Sequence, residues 1–179
     1  MNIAIVGATG NVGRKTLEVF DKKNFKFDNL YLVASEKSAG KKILFRDKEY
    51  VIENLETYDF SKADITFFAA GGTIAEKHAE NAAKHTVVID NSSFFRMDPD
   101  VPLIVPQVNS SEIKKMNKNI IANPNCSTAQ LVIALKPLHD LYQIKRVVVS
   151  TYQSVSGGGK SPMDELIEQT QKYLDGQKI

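Results

Sequence analysis

The chain has 179 residues, of which 42% are hydrophobic and 25% charged, and its formal net charge is +2. This is an ordinary globular composition, long enough for one domain and part of a second. No basic cluster indicates binding to nucleic acid or to a membrane surface, and no apolar run is long enough for a transmembrane helix. No charged leader precedes the first apolar stretch, so we expect a cytoplasmic location. The single cysteine excludes an internal disulfide and a cysteine-rich metal site, and we expect no metal.

Short apolar strands alternate with helical segments over the first 122 residues. The predicted strands are Asn2–Val6, Leu30–Ala34, Ile43–Phe45, Tyr50–Ile52, Ile65–Ala70, Val87–Asp90, Leu103–Val105 and Ile120–Ala122. The predicted helical segments are Arg14–Asp21, a helix through Ile74, His78 and Ala82, and Ser110–Lys118. The third and fourth strands form a hairpin through Asp47-Lys48. Such alternation favours parallel βαβ units, so we predict an α/β fold with a Rossmann-like, doubly wound, mostly parallel sheet.

The pattern changes after Cys126. The later predicted elements are an apolar helix at Ala129–Leu138 that Pro137 ends or kinks, a β-branched strand at Arg146–Tyr152 and an amphipathic helix at Pro162–Leu174. The strand has no evident partner, and the segment is too short for a good core of its own. We therefore predict one domain over residues 1–127 and an incomplete second domain over residues 128–179.

A glycine-rich turn, Gly7-x-x-Gly10-x-x-Gly13, lies between the first strand and the first helix. Glycine lets the backbone turn tightly and approach a pyrophosphate, and the following helix presents free N–H groups and its positive dipole end. The spacing differs from the usual G-x-G-x-x-G fingerprint. Nucleotide binding is the favoured interpretation, and a plain tight turn is the alternative.

The residues after the second strand bear on the choice of cofactor. Ser35, Lys37 and Ser38 supply two hydroxyls and a cation, with Lys41 and Lys42 close by. This set suits the 2′-phosphate of NADP, whereas NAD-specific folds usually place an acidic residue here to bind the ribose hydroxyl. Glu36 is the contrary feature. NADP is favoured over NAD, and a solvated polar loop is the alternative.

The lone cysteine, Cys126, lies where a strand ends and an apolar helix begins, in Asn123-Pro124-Asn125-Cys126-Ser127-Thr128. A helix N-terminus favours the thiolate and can hold an oxyanion with its free N–H groups. Asn125 is either the helix cap or a side-chain donor to that oxyanion. A reactive thiol is therefore favoured over the alternative, a small buried hydrophobe.

Four sequence blocks together resemble aspartate-β-semialdehyde dehydrogenase over essentially the whole chain. They are the glycine loop, Asp90-Asn91-Ser92-Ser93-Phe94-Phe95-Arg96-Met97, the block around Cys126, and Ser150-Thr151-Tyr152-Gln153-Ser154-Val155-Ser156-Gly157. The resemblance implies an oxidoreductase that uses NADPH to convert the acyl phosphate L-aspartyl-β-phosphate into the semialdehyde and phosphate. That step serves the biosynthesis of lysine, threonine, methionine and diaminopimelate.

The resemblance also assigns roles to individual residues. It implies that Cys126 forms the acyl-enzyme thioester, Gln153 orients the substrate, Arg96 binds the phosphate, and Asn125 contacts phosphate or the oxyanion. An arginine fork suits phosphate, although a lone loop arginine is more often solvated. The loop pattern and the resemblance together predict cofactor contacts from Gly7, Thr9, Gly10, Asn11, Val12, Gly13, Ser35, Lys37, Ser38, Gly72, Ser156 and Gly157.

A thiol nucleophile of this kind usually has a histidine base. The three histidines, His78, His85 and His139, all lie in contexts better explained by structure. In the family, the catalytic histidine and a carboxylate-binding arginine lie further along a longer chain. We therefore expect this chain to end inside an α+β catalytic and dimerisation domain and to show little or no turnover, and we expect the full-length protein to form a homodimer.

Two other functions remain open from the sequence. One is the related N-acetyl-glutamyl-phosphate reductase, which typically has glycine before its cysteine, so Asn125 counts against it. The other is a non-catalytic Rossmann module that binds NADP or another chain, in which Cys126 is a relic.

Overall fold

The computed structural model describes all 179 residues, which divide into two compact units, residues 1–144 and 145–179. The strands, all in the first unit, are β1 (Asn2–Val6), β2 (Asn29–Ala34), β3 (Lys42–Phe45), β4 (Lys48–Asn54), β5 (Ile65–Phe68), β6 (Val87–Asp90) and β7 (Ile120–Ala122). The α-helices are α1 (Asn11–Lys22), α2 (Gly72–Ala82), α3 (Pro106–Asn109), α4 (Cys126–Tyr142) and, in the second unit, α5 (Lys160–Leu174). None of these helices is long and apolar enough to span a membrane.

The seven strands form one sheet in the order β3-β4-β2-β1-β5-β6-β7. Every neighbouring pair is parallel except the β3–β4 hairpin, whose turn residues Arg46 and Asp47 both have positive φ, 49° and 60°. The chain runs outward from β1 on one side and then returns to build the other side, so the strand order reverses between β1 and β5. The predicted Rossmann-like, doubly wound and mostly parallel sheet is confirmed.

Alternate residues of β1 face opposite sides of the sheet, as a strand buried on both faces requires. Ile3 and Ile5 pack in a core that includes Leu17 and Phe20 of α1. Ala4 and Val6 pack in a second core that includes three small residues of α2, Ala75, Ala79 and Ala82. Because all four residues of β1 named here are fully buried, the sheet is sandwiched between helices on both faces.

In the first unit, the structure differs from the sequence expectations at three segments. Leu103–Val105 is not a strand, since only an isolated parallel bridge joins Leu103 to Ala122. The apolar helix predicted at Ala129–Leu138 is present as part of α4, but of the two effects predicted for Pro137 the first is wrong: the helix continues to Tyr142, because proline removes one helical hydrogen bond without preventing the turns after it. The segment predicted at Ser110–Lys118 is a six-residue 3-10 turn, Ser110–Lys115, that follows the short helix α3.

In the second unit, the predicted strand at Arg146–Tyr152 is also absent, and this segment has no regular secondary structure. Its valines Val147, Val148 and Val149 are all more than half exposed. A β-branched run becomes a strand only when another strand accepts its hydrogen bonds, and no strand of this chain pairs with it. The helix predicted at Pro162–Leu174 is confirmed as α5.

Candidate active site

Five loops lie at one edge of the sheet, because the carboxyl ends of parallel strands point the same way. They follow β1, β2, β5, β6 and β7 and comprise residues 7–10, 35–41, 69–71, 91–93 and 123–125. The predicted cofactor and substrate residues of the first unit lie in these loops or at the first turns of the helices that follow them. This edge, at the point where the strand order reverses, is where doubly wound folds bind ligands.

The glycine loop is packed too closely for larger residues. Gly7 has φ +83° and donates its N–H to the carbonyl of Val33 at 2.8 Å. A Cβ on Gly7 would lie 2.7 Å from the carbonyl oxygen of Ala69, and one on Gly13 would lie 2.7 Å from Cα of Ala8. Both glycines are therefore required by the path of the backbone, as the predicted phosphate-binding turn demands.

The start of α1 has neither a side-chain cap at the preceding residue, Gly10, nor an acidic side chain in its first turn. Arg14 adds a cation beside the loop, and its Nε donates to the carbonyl of Thr9 at 3.2 Å. A bound anion is the natural complement of such a helix start, so this cradle fits the pyrophosphate of a dinucleotide.

A short 3-10 turn, Glu36–Ser38, follows β2, and the N–H of Ser38 donates to the carbonyl of Ser35 at 2.8 Å. Lys37 is exposed and forms no ion pair, whereas the nearby Lys42 is paired with Glu49 at 2.6 Å. The structure therefore leaves the cation of Lys37 available at the ligand-binding edge.

Cys126 is the first residue of α4, and its thiol is exposed. Asn125 caps the helix: its Oδ1 accepts from the backbone N–H of Ser127 at 2.9 Å and from the hydroxyl of Ser127 at 2.6 Å. The thiol also lies 3.8 Å from this oxygen. Of the two roles considered for Asn125, the structure shows the cap, and a capped helix start fixes the thiol at the positive end of the helix dipole.

Arg96 lies on the 3-10 turn Phe94–Met97, which follows β6. Its Nε donates to the carbonyl of Asn123 at 2.8 Å, and its Nη2 lies 3.4 Å from the carbonyl of Asn91. The side chain of Asn123 in turn donates to the side chain of Asn91 at 2.6 Å. Arg96 is thus hydrogen-bonded to the residues that follow β6 and β7. The residue after β7, Asn123, lies three positions before Cys126.

The sequence motif contained one residue whose importance was missed. Asp90, the last residue of β6, is fully buried, and its carboxylate accepts from the N–H of Ser92 at 2.9 Å and the hydroxyl of Ser92 at 2.7 Å. Burial raises the pKa of Asp90, while the hydrogen bonds from Ser92 and the charge of Arg96 act in the opposite direction. The sequence signal that could have indicated its importance is a carboxylate at the end of an otherwise apolar strand.

The remaining predicted site residues, Gln153, Ser156 and Gly157, belong to the second unit. Ser156 and Gly157 lie on the 3-10 turn Val155–Gly158. The side chain of Gln153 packs over this turn, since a Cβ on Gly157 would lie 3.0 Å from its Cδ. The roles predicted for these three residues stay predictions.

No histidine is hydrogen-bonded to Cys126. His139 lies thirteen residues along the same helix, roughly 20 Å away at 1.5 Å per residue. His85 follows α2, which begins at the ligand-binding edge, so this residue lies at the opposite edge of the sheet. Nε2 of His78 lies 3.5 Å from the carboxylate of Glu56.

Two family models match the chain. The semialdehyde dehydrogenase NAD-binding domain matches residues 2–116, and the semialdehyde dehydrogenase dimerisation domain matches residues 135–179. The predicted boundary at residue 127 falls between these two matches, and the compact units divide after residue 144. The boundary itself stays a prediction.

Individual relatives are similar over nearly all of this chain. The aspartate-semialdehyde dehydrogenase of Aquifex aeolicus is 52% identical over 99% of the chain and 53% of its own length. A crystal structure of aspartate semialdehyde dehydrogenase II complexed with ASA, from Vibrio cholerae, is 50% identical with a TM-score of 0.93, covering 98% of this chain and 53% of that one. A structure of the Candida albicans enzyme with NADP is 28% identical with a TM-score of 0.61, covering 80% and 48%.

The chain therefore spans about half the length of the curated relatives it matches. The resemblance inferred from the four sequence blocks is confirmed by the family models and by these relatives. The order and direction of the strands also agree with the fold of the similar solved structures. This chain belongs to the semialdehyde dehydrogenase family.

Proposed function

We propose that this chain is the cofactor-binding and thiol-bearing part of an NADP-linked aspartate-semialdehyde dehydrogenase. The enzyme would carry out the reductive dephosphorylation of L-aspartyl-β-phosphate to L-aspartate-β-semialdehyde, in the biosynthesis of lysine, threonine, methionine and diaminopimelate. The observation that carries the proposal is the placing of Cys126, at a capped helix start, on the same sheet edge as the glycine loop and Arg96. The names of the relatives support the substrate.

The glycine loop and the residues after β2 would hold the cofactor. The start of α1 complements the pyrophosphate, and Lys37 with Ser35 and Ser38 complements a 2′-phosphate. Bound NADPH supplies the hydride that reduces the acyl group. The NADP named for the Candida albicans structure supports this choice over NAD.

Cys126 would accept the acyl group. Its thiolate attacks the carbonyl carbon of the acyl phosphate, a C–S bond forms, and the C–O bond breaks with its electron pair leaving on phosphate. N–H groups at the start of α4 stabilise negative charge on the carbonyl oxygen. Arg96, fastened to the ends of β6 and β7, binds the phosphate before and after it leaves.

Gln153 would orient the substrate, and Ser156 with Gly157 would add cofactor contacts from the second unit. The dimerisation-domain match over residues 135–179 supports a homodimer at full length. Because no histidine is hydrogen-bonded to Cys126, we propose that the 179 residues bind ligands but show little or no turnover. Measurable NADP-dependent turnover by the purified chain would overturn this part.

Alkylation of the single cysteine tests the nucleophile. At pH 7 and 25 °C, iodoacetamide should label Cys126 at least about tenfold faster than a small free thiol, with Cys126→Ser as the blank. NADP should raise the unfolding midpoint of the same protein. A labelling rate equal to that of the free thiol would overturn the proposal that Cys126 is an activated nucleophile. An unfolding midpoint that does not respond to NADP would overturn the proposed cofactor. Both results together would favour the non-catalytic module.

The reductase alternative is addressed by substrate choice. Asn125 and the names of the relatives favour the aspartyl substrate over N-acetyl-glutamyl phosphate. A chain extended to the length of its relatives should reduce the aspartyl phosphate and leave the other unreacted. Preference for N-acetyl-glutamyl phosphate would reverse the assignment.

A further inference from the structure

The orientation of Arg96 depends on a turn that is anchored by two buried polar residues. The turn residues Phe94–Met97 are entered through Ser93, whose side chain makes no capping bond. The N–H of Phe94 donates instead to the hydroxyl of Ser92 at 3.1 Å. That hydroxyl donates in turn to the carboxylate of Asp90 at 2.7 Å.

Asp90 and Ser92 are therefore the link between the end of β6 and the turn that carries Arg96. Both side chains are buried, Asp90 completely. Phe95, the residue before Arg96, is also buried in the core and holds the middle of the turn. With both the entry and the middle fixed, the guanidinium can keep its two hydrogen bonds to the strand ends.

We propose that Asp90 and Ser92 are positioning residues that orient Arg96 for binding the phosphate group of the substrate. This inference rests on the proposed function, since it needs Arg96 to be the anion-binding residue. Arginine recognises phosphate through a planar fork, so its affinity depends on orientation in a way that a lysine's does not. Loss of the Asp90–Ser92–Phe94 chain should therefore weaken anion binding without altering the glycine loop.

The test uses the 179-residue chain with inorganic phosphate as the probe. Phosphate should slow the alkylation of Cys126 by iodoacetamide, and the concentration dependence gives its dissociation constant. Ser92→Ala should weaken phosphate binding about fivefold, the range that one lost hydrogen bond gives, and leave NADP affinity within about twofold. Ser93→Ala, which changes an exposed neighbour, is the matched control, and Ser92→Thr should retain the affinity because it keeps the hydroxyl.

A double-mutant cycle separates positioning from a purely structural role. In the Arg96→Lys background, Ser92→Ala should change phosphate affinity by less than about twofold, because a flexible ammonium does not need the turn. Equal effects in both backgrounds, or a Ser92→Ala chain that no longer folds or binds NADP, would assign the pair to fold stability and overturn the inference.

The outcomes also distinguish this inference from the proposed function. If phosphate gives no protection to the unaltered chain, the anion site at Arg96 fails, and the positioning role fails with it. If Arg96→Lys weakens protection while Ser92→Ala leaves it unchanged, the anion site stands and only the positioning role is lost.

Discussion

Arg96 and Asn123 are joined by a hydrogen bond from Nε to the backbone carbonyl, with a length of 2.8 Å. Asn123 lies three residues before Cys126, so the cation and the thiol are attached to the same strand end. A guanidinium has five N–H donors, and the hydrogen bonds to Asn123 and Asn91 use two of them. In the proposed function, the other three are the donors that would bind the phosphate group of the substrate.

The glycine loop gives a first prediction, on stability and cofactor binding together. Gly13→Ala should lower the free energy of unfolding by about 1–3 kcal/mol and abolish NADP binding, because the new methyl group meets the backbone at Ala8. For stability alone, Gly72→Ala is the control, since its Cβ would meet only Ser93 Oγ at 3.7 Å, and its free energy of unfolding should rise by about 0.5 kcal/mol. Urea unfolding measures the stability of the two variants, and titration with NADP measures cofactor binding by Gly13→Ala. Equal stability of the two variants would contradict the close approach of the loop.

Asn125 gives a prediction in which stability and reactivity separate. Asn125→Ala should cost about 1 kcal/mol through loss of the helix cap, whereas Asn125→Asp should keep the cap because a carboxylate accepts the same bonds. The added charge of the aspartate lies beside the thiol and should slow its alkylation. Unfolding curves and iodoacetamide labelling of the two variants provide the measurements. An aspartate variant that labels faster than the unaltered chain would argue against this electrostatic account.

Lys37 is expected to set the preference for NADP. Lys37→Gln should weaken NADP binding about tenfold, the effect of losing one charge-assisted contact to a phosphate, and leave NAD binding within about twofold. Lys42→Gln is the matched control, because the ammonium of Lys42 is held by Glu49 on the neighbouring strand. Titration of each variant with both dinucleotides gives the ratio of NADP affinity to NAD affinity. An unchanged ratio for Lys37→Gln would place the 2′-phosphate elsewhere.

The buried carboxyl of Asp90 predicts a dependence of stability on pH. Because burial raises its pKa above the usual 3.8, the folded chain binds more protons than the unfolded chain between that value and the raised one. The contribution of Asp90 to stability therefore falls as pH rises through this window. Asp90→Asn cannot titrate, so the free energy of unfolding of the variant minus that of the unaltered chain should rise across the window.

Asp98 supplies a control of opposite sign for that experiment. The N–H of Asp100 and the ammonium of Lys118 lower its pKa below 3.8, so its contribution is present above that value and is lost as pH falls. The difference for Asp98→Asn should therefore decrease as pH rises. Urea unfolding between pH 3 and pH 8 measures both differences. The same slope for both variants would show that burial of Asp90 does not govern its titration.

The parts of the fold that depend on neighbouring residues were predictable from the sequence. The bounds of β1 and β6 were predicted to the residue, because a short apolar run between turn residues is a local signal. The glycine loop was predictable in the same way, because the spacing of its glycines marks positions where the backbone packs too closely for a side chain. Cys126 was predicted to lie where an apolar helix begins, and it is the first residue of that helix, with Asn125 in one of the two roles considered for it, the cap.

Features that depend on distant partners were not predictable. Arg146–Tyr152 has the composition of a strand, yet composition does not state whether another strand will accept its hydrogen bonds. Asp90 was visible within a motif, but its importance lies in complete burial and in two bonds to Ser92. The attachment of Arg96 to Asn123 joins residues 27 positions apart, and it required the pairing of β6 with β7 to be known.

The position of β7 has a consequence for when the cysteine acquires its chemistry. This three-residue strand pairs with β6 alone, apart from the single bridge at Leu103, and every other strand precedes it in the chain. During synthesis from the amino terminus, it is therefore the last strand to join the sheet. A helix start can favour a thiolate only once the helix is held in place. If Cys126 is the nucleophile of the proposed function, its activation therefore has to wait for the completed sheet, because a nascent or locally unfolded chain carries the thiol without a fixed helix start.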